Sequence, residues 1–406
     1  MNINRLKAKA AIVGIGDSYC ARDERRTALS LLMEAIRKAL DDAGIEKGAI
    51  DGLLSGRAPM SDMRPQWNNI VASYAKITPR LSTEITTHAG GMNGMLKHAA
   101  IAVEAGVAEY VLCVGADAAA GLMDVKEGIS TLDADPEFEQ PYGVIIPTLY
   151  AQIASRLMHE SGVTEEDISS VSVQCQDWAI HHPFSAKGHK GPITAEMVMA
   201  SRMVSSPLRL WHCATWGPPG TAGAMIVTRA ENARHLSREP IYLHGFGEFH
   251  THEYITDRMG LRTSAHDLGR LPNLTTSGAK VAAEAALQMS GMGLDELHVL
   301  QTASQFAHIE LMVLAEFGFI SVEAAGAFIR AGETGPRGRI PTNTNGGWLS
   351  FGQPGVSCVM DSLVEAVRQL RGTALGLQVP AAVTGAVHSN GGINACHNVL
   401  ILSRNP

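Results

Sequence analysis

Residues 98–117 read HAAIAVEAGVAEYVLCVGAD, and this stretch decides the fold class. Its small residues at helical spacing predict a helix over 92–105. Gly106 should end this helix, because glycine readily adopts the left-handed conformation found at helix C-termini. The apolar run YVLCVG at 110–115 predicts a buried strand of the kind found in parallel sheets. A helix followed at once by a buried strand indicates an α/β protein.

The same alternation continues on both sides of this stretch. Further strands are predicted at 10–16, 50–55, 222–228, 241–247, 298–302, 383–388 and 396–402, and further helices at 26–43, 147–160, 164–181, 279–289, 308–317 and 356–370. The two ends of the chain share this pattern, so we expect two related α/β halves, 1–250 and 251–406. The helices between about 117 and 219 interrupt the first half and predict a helical insertion. A Gly-rich turn is expected at 343–352.

The composition excludes several classes of protein. The chain has 406 residues and a net charge of −7, which argues against general nucleic-acid binding because that function needs a basic face. No run of 18 apolar residues occurs, and the polar N-terminus has no apolar signal core, so we expect a cytoplasmic protein without a membrane span. The six cysteines form no CxxC pair, which favours a reducing compartment and no metal site.

Five stretches of the chain follow one another in the order of a known enzyme family. They are AAIVGIGDS (10–18), HAAIAVEAGVAEYVLCVGAD (98–117), PITAEMVMASRMVSSPLRLWHC (192–213), TNTNGGWLSFGQPG (342–355) and VHSNGGINACHNVLIL (387–402). In this order they resemble the thiolase superfamily, in the branch of sterol-carrier-protein-like thiolases and thiolase-like aldolases that lack the nucleophilic cysteine. The resemblance covers nearly the whole chain.

This resemblance implies a fold, a ligand and partners. The fold is a five-layer αβαβα arrangement, and two copies join through sheet edges as a homodimer. The ligand is an acyl-CoA thioester, which serves as the substrate, and no tightly bound cofactor is implied. A small partner protein with a zinc ribbon and an OB-fold often accompanies this branch and supplies part of the acyl-CoA site.

The resemblance also shows that the usual nucleophile is missing. A thiolase places a cysteine at the N-terminus of its central helix, where the helix dipole and a nearby histidine lower the thiol pKa. Ala89 stands at that position here, beside His88, and no cysteine lies between Cys20 and Cys113. The family's His-Asp-Cys-Phe-like stretch reads Ala-Ser-Gln-Phe at 303–306, so its histidine is absent too.

Two further catalytic groups of the family are replaced. The Gly-His-Pro-Gly motif reads GQPG at 352–355, so Gln353 stands where the family has histidine. An amide donates a hydrogen bond but transfers no proton at neutral pH. The late catalytic cysteine corresponds to His388, which precedes the stretch Asn390-Gly391-Gly392.

These replacements predict chemistry without an acyl-cysteine. We expect His388 to transfer a proton, with His88 as a second candidate, while Asn390 or Gln353 holds the oxygen of an enolate. Enolate stabilisation without a covalent step suits aldol or retro-aldol chemistry on a β-hydroxyacyl-CoA. The family's aldolases rely on tyrosine for proton transfer. The last tyrosine here is Tyr254, so the C-terminal motifs at 342–355 and 387–402 supply none.

The resemblance assigns further residues to CoA. Phosphates favour Lys or Arg as charged donors, so we expect an exposed phosphate-binding set in the insertion; the alternative is a solvated basic loop. Glycines and turn residues beside the acyl group allow close backbone approach. The phosphate set is Lys187, Lys190 and Arg202, and the acyl set is Asn345, Gly346, Gly347, Gly391 and Gly392.

Two alternatives to a thiolase-like lyase stay open from the sequence. The chain could be a catalytically degenerate scaffold subunit of a larger acyl-CoA complex. It could also be a true thiolase, an acyltransferase that uses another cysteine. His250 and His252 alternate beside acidic residues, but we expect no metal there.

Overall fold

The computed structural model describes residues 3–21, 24–87, 91–118, 134–215, 220–236, 239–258 and 274–406. In these ranges nine strands form one mixed sheet in the order β3-β2-β4-β7-β1-β8-β11-β10-β9. They are β1 Ala10–Tyr19, β2 Gly52–Ser55, β3 Leu81–Glu84, β4 Val111–Asp117, β7 Thr221–Arg229, β8 Ile241–His250, β9 Val299–Gln301, β10 Thr384–Gly391 and β11 Cys396–Ser403. A separate hairpin contains β5 Met203–Ser205 and β6 Leu208–Arg209.

The helices of the described ranges alternate with these strands. They are α1 Ala28–Ala43, α2 Trp67–Ala75, α3 Gly91–Glu104, α4 Ile146–Ser161, α5 Glu165–Ala179, α6 Ala195–Met199, α7 Ala230–Ala233, α8 Ile255–Arg258, α9 Ala279–Ser290, α10 Ala307–Phe317, α11 Val322–Arg330 and α12 Cys358–Arg371. Short 3₁₀ turns lie at Ile3–Leu6, Lys47–Ala49, Gln140–Tyr142, Gly188–Lys190, Leu210–His212 and Leu294–Glu296, and a π-helical turn at Gly347–Phe351.

The two ends of the sheet have the same mixed pattern. At one end β3, β2 and β4 are parallel and β7 and β1 follow in antiparallel pairing; at the other end β9 and β10 are parallel and β11 and β8 follow in the same way. The two groups of strands meet in the middle of the sheet, where β1 pairs with β8. Only two residue pairs form there, Ala11 with Tyr242 and Ile12 with Ile241. The sheet is therefore two related sheets that share one short seam.

Three apolar clusters divide the protein into layers. The central cluster contains α3 and α12 and includes strand residues from both halves, such as Val227 and Val387. A second cluster packs α1 and α2 on the first half, and a third packs α9 and α10 on the second. Helices therefore cover both outer faces and fill the space between the two sheets. This arrangement confirms the expected five-layer αβαβα fold.

Glycines in the strands let the outer helices lie directly on the sheets. A Cβ atom at Gly16 in β1 would approach the carbonyl oxygen of Ala35 to 2.1 Å, and one at Gly247 in β8 would approach that of Ala282 to 1.7 Å. Both separations are far inside van der Waals contact, so neither position accepts a side chain without a shift of the helix. The glycine-rich strand sequences are thus a requirement of close layer packing.

The predicted long elements are confirmed within one to three residues at most ends. Sequence reasoning missed the short elements α2, β3 and α11 and the β5–β6 hairpin. The expected turn at 343–352 contains a π-helical turn over Gly347–Phe351. The division into halves at residue 250 stays a prediction. No single helix in the described ranges is long and apolar enough to cross a membrane; α10 and α11 pass that test only as a pair, bent by 111°.

Candidate active site

Three loops meet where the resemblance places the catalytic motifs. They follow β9, precede α12 and follow β10, and the extended segment 213–215 connects two of them. The backbone N–H of Ala214 donates to the carbonyl of Gln305 at 2.8 Å, and that of Gln353 donates to the carbonyl of Thr215, also at 2.8 Å. These bonds hold the 303–306 stretch beside the GQPG turn.

The central helix α3 is anchored to the same end of the second sheet. Its Asn93 side chain donates to the carbonyl of Val387 at 3.1 Å, which is the residue before His388. His88 and Ala89 lie outside the described residues, so the role of His88 stays a prediction. Helix α3 starts at Gly91, directly after these residues in the chain.

His388 lies within strand β10, in a buried histidine pair. Its Nε2 is 3.0 Å from Nδ1 of His397, and Nε2 of His397 is 3.3 Å from the carbonyl oxygen of Asn394. A carbonyl only accepts, so the His397 Nε2 carries hydrogen, the His397 Nδ1 accepts, and the Nε2 of His388 donates. The Nδ1 of His388 is then a lone pair, and it has no partner among the described residues.

Burial changes the acid–base behaviour expected of His388. Desolvation, followed by the neighbouring His397, lowers the pKa of His388 well below its usual value. The ring of His388 is therefore neutral at physiological pH, unlike a histidine with the usual pKa. The ring also makes an edge contact with Phe317, at 6.1 Å between centroids. His388 can accept a proton at Nδ1, but the resulting cation is disfavoured.

A hydrogen-bonded chain joins the 303–306 loop to the loop after β10. The Tyr150 hydroxyl donates to the carbonyl of Gly392 at 2.9 Å and accepts from the backbone N–H of Asn394 at 3.0 Å. Gln305 Nε2 donates to the Tyr150 oxygen at 2.9 Å and to Oδ1 of Asn390 at 2.8 Å. Asn390 Nδ2 in turn donates to Oδ1 of Asn394 at 2.9 Å. The structure thus brings Asn390 and Gln305 together in one buried network, while their catalytic roles stay predictions.

Tyr150 comes from the helical insertion. This tyrosine was not predicted from the sequence to be a residue of the site. No tyrosine follows Tyr254 in the chain, but α4 places Tyr150 against the loop after β10. Tyr150 lies on the buried face of α4 together with Leu149, Ile153 and Leu157, so its spacing indicated only a core position. The hydroxyl group of Tyr150 was the one available signal, because a buried tyrosine hydroxyl usually has a hydrogen-bond partner.

Buried Arg258 fixes the same loop from the other side. Its guanidinium donates to the carbonyl of Asn394 at 3.1 Å and to that of Ile393. Gly391 is buried in β10, and Gly392 has a φ of +60°. A Cβ at Gly392 would lie 2.1 Å from a carboxylate oxygen of Glu253, so a larger residue here would displace that carboxylate. The turn therefore keeps its shape through contacts with several elements.

The turn before α12 is similarly constrained. Asn345 Oδ1 accepts from the N–H of Gly347 at 3.0 Å, and Gly346 has a φ of +105°. The GQPG turn ends on buried Asp117, whose carboxylate accepts from the N–H of Val356 at 3.3 Å. Gln353 is partly exposed, and its side-chain amide has no hydrogen bond within the described ranges. Its amide is therefore available to a ligand.

Burial raises the thiol pKa of five of the six cysteines. All six lie in the described ranges, and five are buried. Desolvation raises the pKa of Cys213 and of Cys396 to about 12 and that of Cys113, Cys175 and Cys358 above the usual thiol value. Cys396 is the notable one, because its thiol points to the carbonyl of Thr87 at 3.7 Å, near the start of α3. A thiol with such a pKa is not a thiolate at neutral pH.

Two lysines of the insertion lie over one aromatic ring. The Nζ atoms of Lys187 and Lys190 are 4.6 and 5.3 Å from the ring centroid of Trp211. Lys190 is exposed, and so is Arg202. Lys187 is only 7% exposed, and desolvation, then Lys190, lowers its pKa to about 8. The expectation of an exposed lysine is therefore wrong for Lys187, which has no carboxylate partner among the described residues.

A buried acid lies behind the Asn343 turn and was not predicted. Glu310 of α10 accepts from Nδ2 of Asn343 at 2.6 Å, and desolvation raises its pKa to about 8. Asn343 Oδ1 accepts from the N–H of Thr302 at 2.9 Å, so the acid supports the loop after β9. His250 pairs with Glu248, and no group of three potential metal ligands occurs in the described ranges.

Comparisons with known proteins agree with this arrangement. Residues 260–404 match the family described as thiolase C-terminal domain-like. The chain is 31% identical over 380 residues to a 17-hydroxy-3-oxo-4-pregnene-20-carboxyl-CoA lyase of Mycobacterium tuberculosis, covering 91% of this chain and 93% of that protein. It is 28% identical over 396 residues to an acetyl-CoA acetyltransferase of Methanothermobacter thermautotrophicus, covering 97% and 99%.

A solved structure extends the comparison to the whole fold. The Ltp2–ChsH2(DUF35) aldolase superposes with a TM-score of 0.81 at 26% identity, over 98% of both chains. The chain therefore belongs to the thiolase superfamily, in the branch that contains thiolase-like lyases. It is a thiolase-like acyl-CoA enzyme.

Proposed function

We propose that this enzyme breaks or forms a carbon–carbon bond next to a CoA thioester by a retro-aldol or aldol reaction, without an acyl-enzyme. The observation that carries the proposal is the content of the site. At two positions where a thiolase has a thiol or a histidine in its catalytic loops, this chain has the amides of Gln305 and Gln353, and Gln305 donates to a third amide, that of Asn390. Amides orient and polarise a carbonyl, but they form no acyl intermediate.

In the cleavage direction, the β-hydroxyl of the substrate loses its proton and becomes a carbonyl as the Cα–Cβ bond breaks. The electron pair of that bond forms the enolate of the released acyl-CoA, and a proton then returns to its α-carbon. The amides of Asn390 and Gln353 donate to the enolate oxygen. His388 accepts the proton at Nδ1. Because its cation is disfavoured, His388 holds the proton only briefly and returns it.

The CoA moiety extends from this site toward the insertion. Lys187 and Lys190 bind its phosphates, with Arg202 at the exposed end, while Asn345, Gly346 and Gly347 lie along the acyl part. The support is the ammonium group of Lys187, which has no carboxylate partner in the described ranges. It lies over the Trp211 ring, close to the 213–215 segment that contacts the catalytic loops. A buried cation of this kind is costly unless an anionic ligand compensates it.

Two protein partners follow from the same proposal. A second copy of this chain pairs at the free edge of β3, which is the last strand at one end of the sheet and is only partly buried. A small zinc-ribbon/OB-fold protein completes the acyl-CoA site. Its support is the structural likeness to an aldolase whose name pairs Ltp2 with ChsH2(DUF35). Light scattering of the chain alone and with such a protein measures both assemblies.

The test of the reaction uses a β-hydroxyacyl-CoA with the purified chain, alone and with the small partner. Mass spectrometry should detect an acyl-CoA shortened by the leaving carbonyl compound. Intact-mass analysis after incubation with acetyl-CoA should show no adduct, and an acetylated cysteine would establish a thiolase instead. If no substrate is cleaved but removal of this chain inactivates a companion thiolase, the chain is a scaffold.

A further inference from the structure

We infer that Gln305, oriented by Tyr150, is the residue that recognises the substrate's β-hydroxyl group through its side-chain oxygen. The inference rests on the proposed function, because it names the substrate class of that same site. It begins from one observation. Gln305 is 6% exposed, and its Oε1 has no hydrogen-bond partner among the described residues, although both hydrogens of its Nε2 are used.

The orientation of this amide follows from backbone groups that cannot reverse. The carbonyl of Gly392 only accepts and the N–H of Asn394 only donates, so the Tyr150 hydroxyl must donate to the first and accept from the second. The Tyr150 oxygen therefore meets the neighbouring amide as an acceptor, and Nε2 of Gln305 donates to it at 2.9 Å. Oε1 of Gln305 therefore points away from Tyr150 and Asn390.

The other end of the chain has the complementary group. Asn390 Oδ1 is taken by Gln305, so Asn390 donates through Nδ2 to Oδ1 of Asn394. Asn394, which is 1% exposed, then keeps a buried Nδ2 with no partner in the described ranges. The network thus ends in one unused acceptor at Gln305 and one unused donor at Asn394.

The buried Oε1 of Gln305 is an unused hydrogen-bond acceptor, so it fits a ligand that carries a hydrogen-bond donor. A free carboxylate cannot donate at neutral pH, and the carbonyl of a plain acyl thioester cannot either. A β-hydroxyacyl thioester offers one hydroxyl donor, which binds Oε1 of Gln305 before its proton leaves for His388, and one carbonyl acceptor. A site with a buried acceptor rejects an analogue that lacks the matching donor, because the acceptor then loses water without gaining a partner.

Tyr150 is a positioning residue in this proposal, since it touches Gln305 and not the ligand. Replacement of its hydroxyl leaves Gln305 free to rotate, so that Nε2 or Oε1 can face the ligand. Tyr150→Phe should therefore reduce discrimination between ligands more than it reduces affinity for CoA itself. A purely structural role would weaken all CoA thioesters by the same factor.

The test measures binding, so it does not depend on turnover. Calorimetry compares 3-hydroxyoctanoyl-CoA with octanoyl-CoA, which differ only in the hydroxyl, while mass spectrometry follows any cleavage. The wild-type chain should prefer the hydroxylated thioester by about 10-fold or more, the scale set by one buried acceptor left unsatisfied. Gln305→Met, which keeps the length but removes the amide, should bind both thioesters equally.

A matched control separates this effect from general loss of a buried amide. Gln301 is also fully buried, its Nε2 donates to Thr344 at 2.8 Å, and its Oε1 also has no partner among the described residues. Gln301→Met should keep the preference for the hydroxyl. If Gln305→Met does not fold, Tyr150→Phe serves as the second variant.

The outcomes separate this inference from the proposed function. Equal binding of the two thioesters by the wild-type chain overturns the inference even if cleavage occurs, and so does failure to bind either. A preference that survives both Gln305→Met and Tyr150→Phe also overturns it. A preference that these variants remove, in a chain that cleaves nothing, supports the inference and contradicts the reaction.

Discussion

Lys187→Met should stabilise the fold while weakening CoA binding. Burial lowers the pKa of Lys187 from 10.5 to about 8, and each pKa unit corresponds to about 1.4 kcal/mol, so the buried charge costs roughly 3 kcal/mol at pH 7. The contact with the Trp211 ring offsets about 1–2 kcal/mol of this cost. The net expectation is a variant about 1–2 kcal/mol more stable than the wild type.

The gain in stability should depend on pH in a defined direction. A lysine with a lowered folded-state pKa is less protonated in the folded than in the unfolded chain between about pH 8 and 10.5. The contribution of Lys187 to the free energy of unfolding of the wild type therefore rises with pH across that window. The advantage of Lys187→Met should be complete below pH 8 and should fade as pH increases above it. Urea unfolding followed by circular dichroism, at pH 7 and pH 10, measures the difference.

The same variant should weaken CoA binding by about 1–3 kcal/mol at pH 7, the range of hydrogen bonds to charged groups. Lys190→Met is the matched control, because Lys190 contacts the same ring but is exposed. It should change stability by less than about 0.5 kcal/mol. This prediction would be refuted if the Lys187→Met variant were less stable than the wild type at pH 7. It would also be refuted if this variant bound CoA with unchanged affinity.

Three other variants follow from the described contacts. Glu310→Gln should remove a fall in stability between about pH 4.5 and 8, because an acid whose folded pKa is raised binds more protons when folded in that window; urea unfolding at pH 5 and pH 8 checks this. His388→Ala should lower kcat by about 10²–10⁴-fold; a variant with full activity would exclude the proton transfer. The wild-type rate should show no titration of His388 between pH 5 and 8, because its pKa lies far below the usual value. Gly392→Ala should lower the melting temperature more than Gly106→Ala, since both have positive φ but only Gly392 faces a carboxylate at 2.1 Å; equal losses would contradict the tight turn.

The fold was predictable because its signals are local and repeated. The small residues of α3, the buried run of β4 and the glycines of β1 each indicate an element that packs closely in layers. The elements that were missed, α2, β3 and α11, are short and have few turns or pairs over which a period can appear. Their presence depends on the neighbours that cover them.

The loops that form the candidate site could be predicted from the sequence. The burial, pKa values and contacts of the side chains in it could not. Asn390 and the Gly-Gly turns could be located through the motifs in which they lie. The pKa of His388, the burial of Lys187 and the placement of Tyr150 arise from contacts between residues far apart in the chain. Tyr150, for example, bonds to Gly392 across 242 positions. No period or spacing within α4 contains that information.

The two ends of the proposed ligand should respond to different perturbations, because the protein contacts them with different chemistry. The phosphate end has exposed Lys190, so added salt should weaken CoA binding there by screening. The acyl end is contacted by neutral groups, among them the amides of Gln305 and Asn394 in a buried network, which salt does not screen. Raising salt should therefore reduce affinity for 3-hydroxyoctanoyl-CoA and octanoyl-CoA by one common factor, and their ratio should stay constant. A ratio that changes with salt would show that a charged group, and not the Gln305 oxygen, distinguishes the hydroxyl.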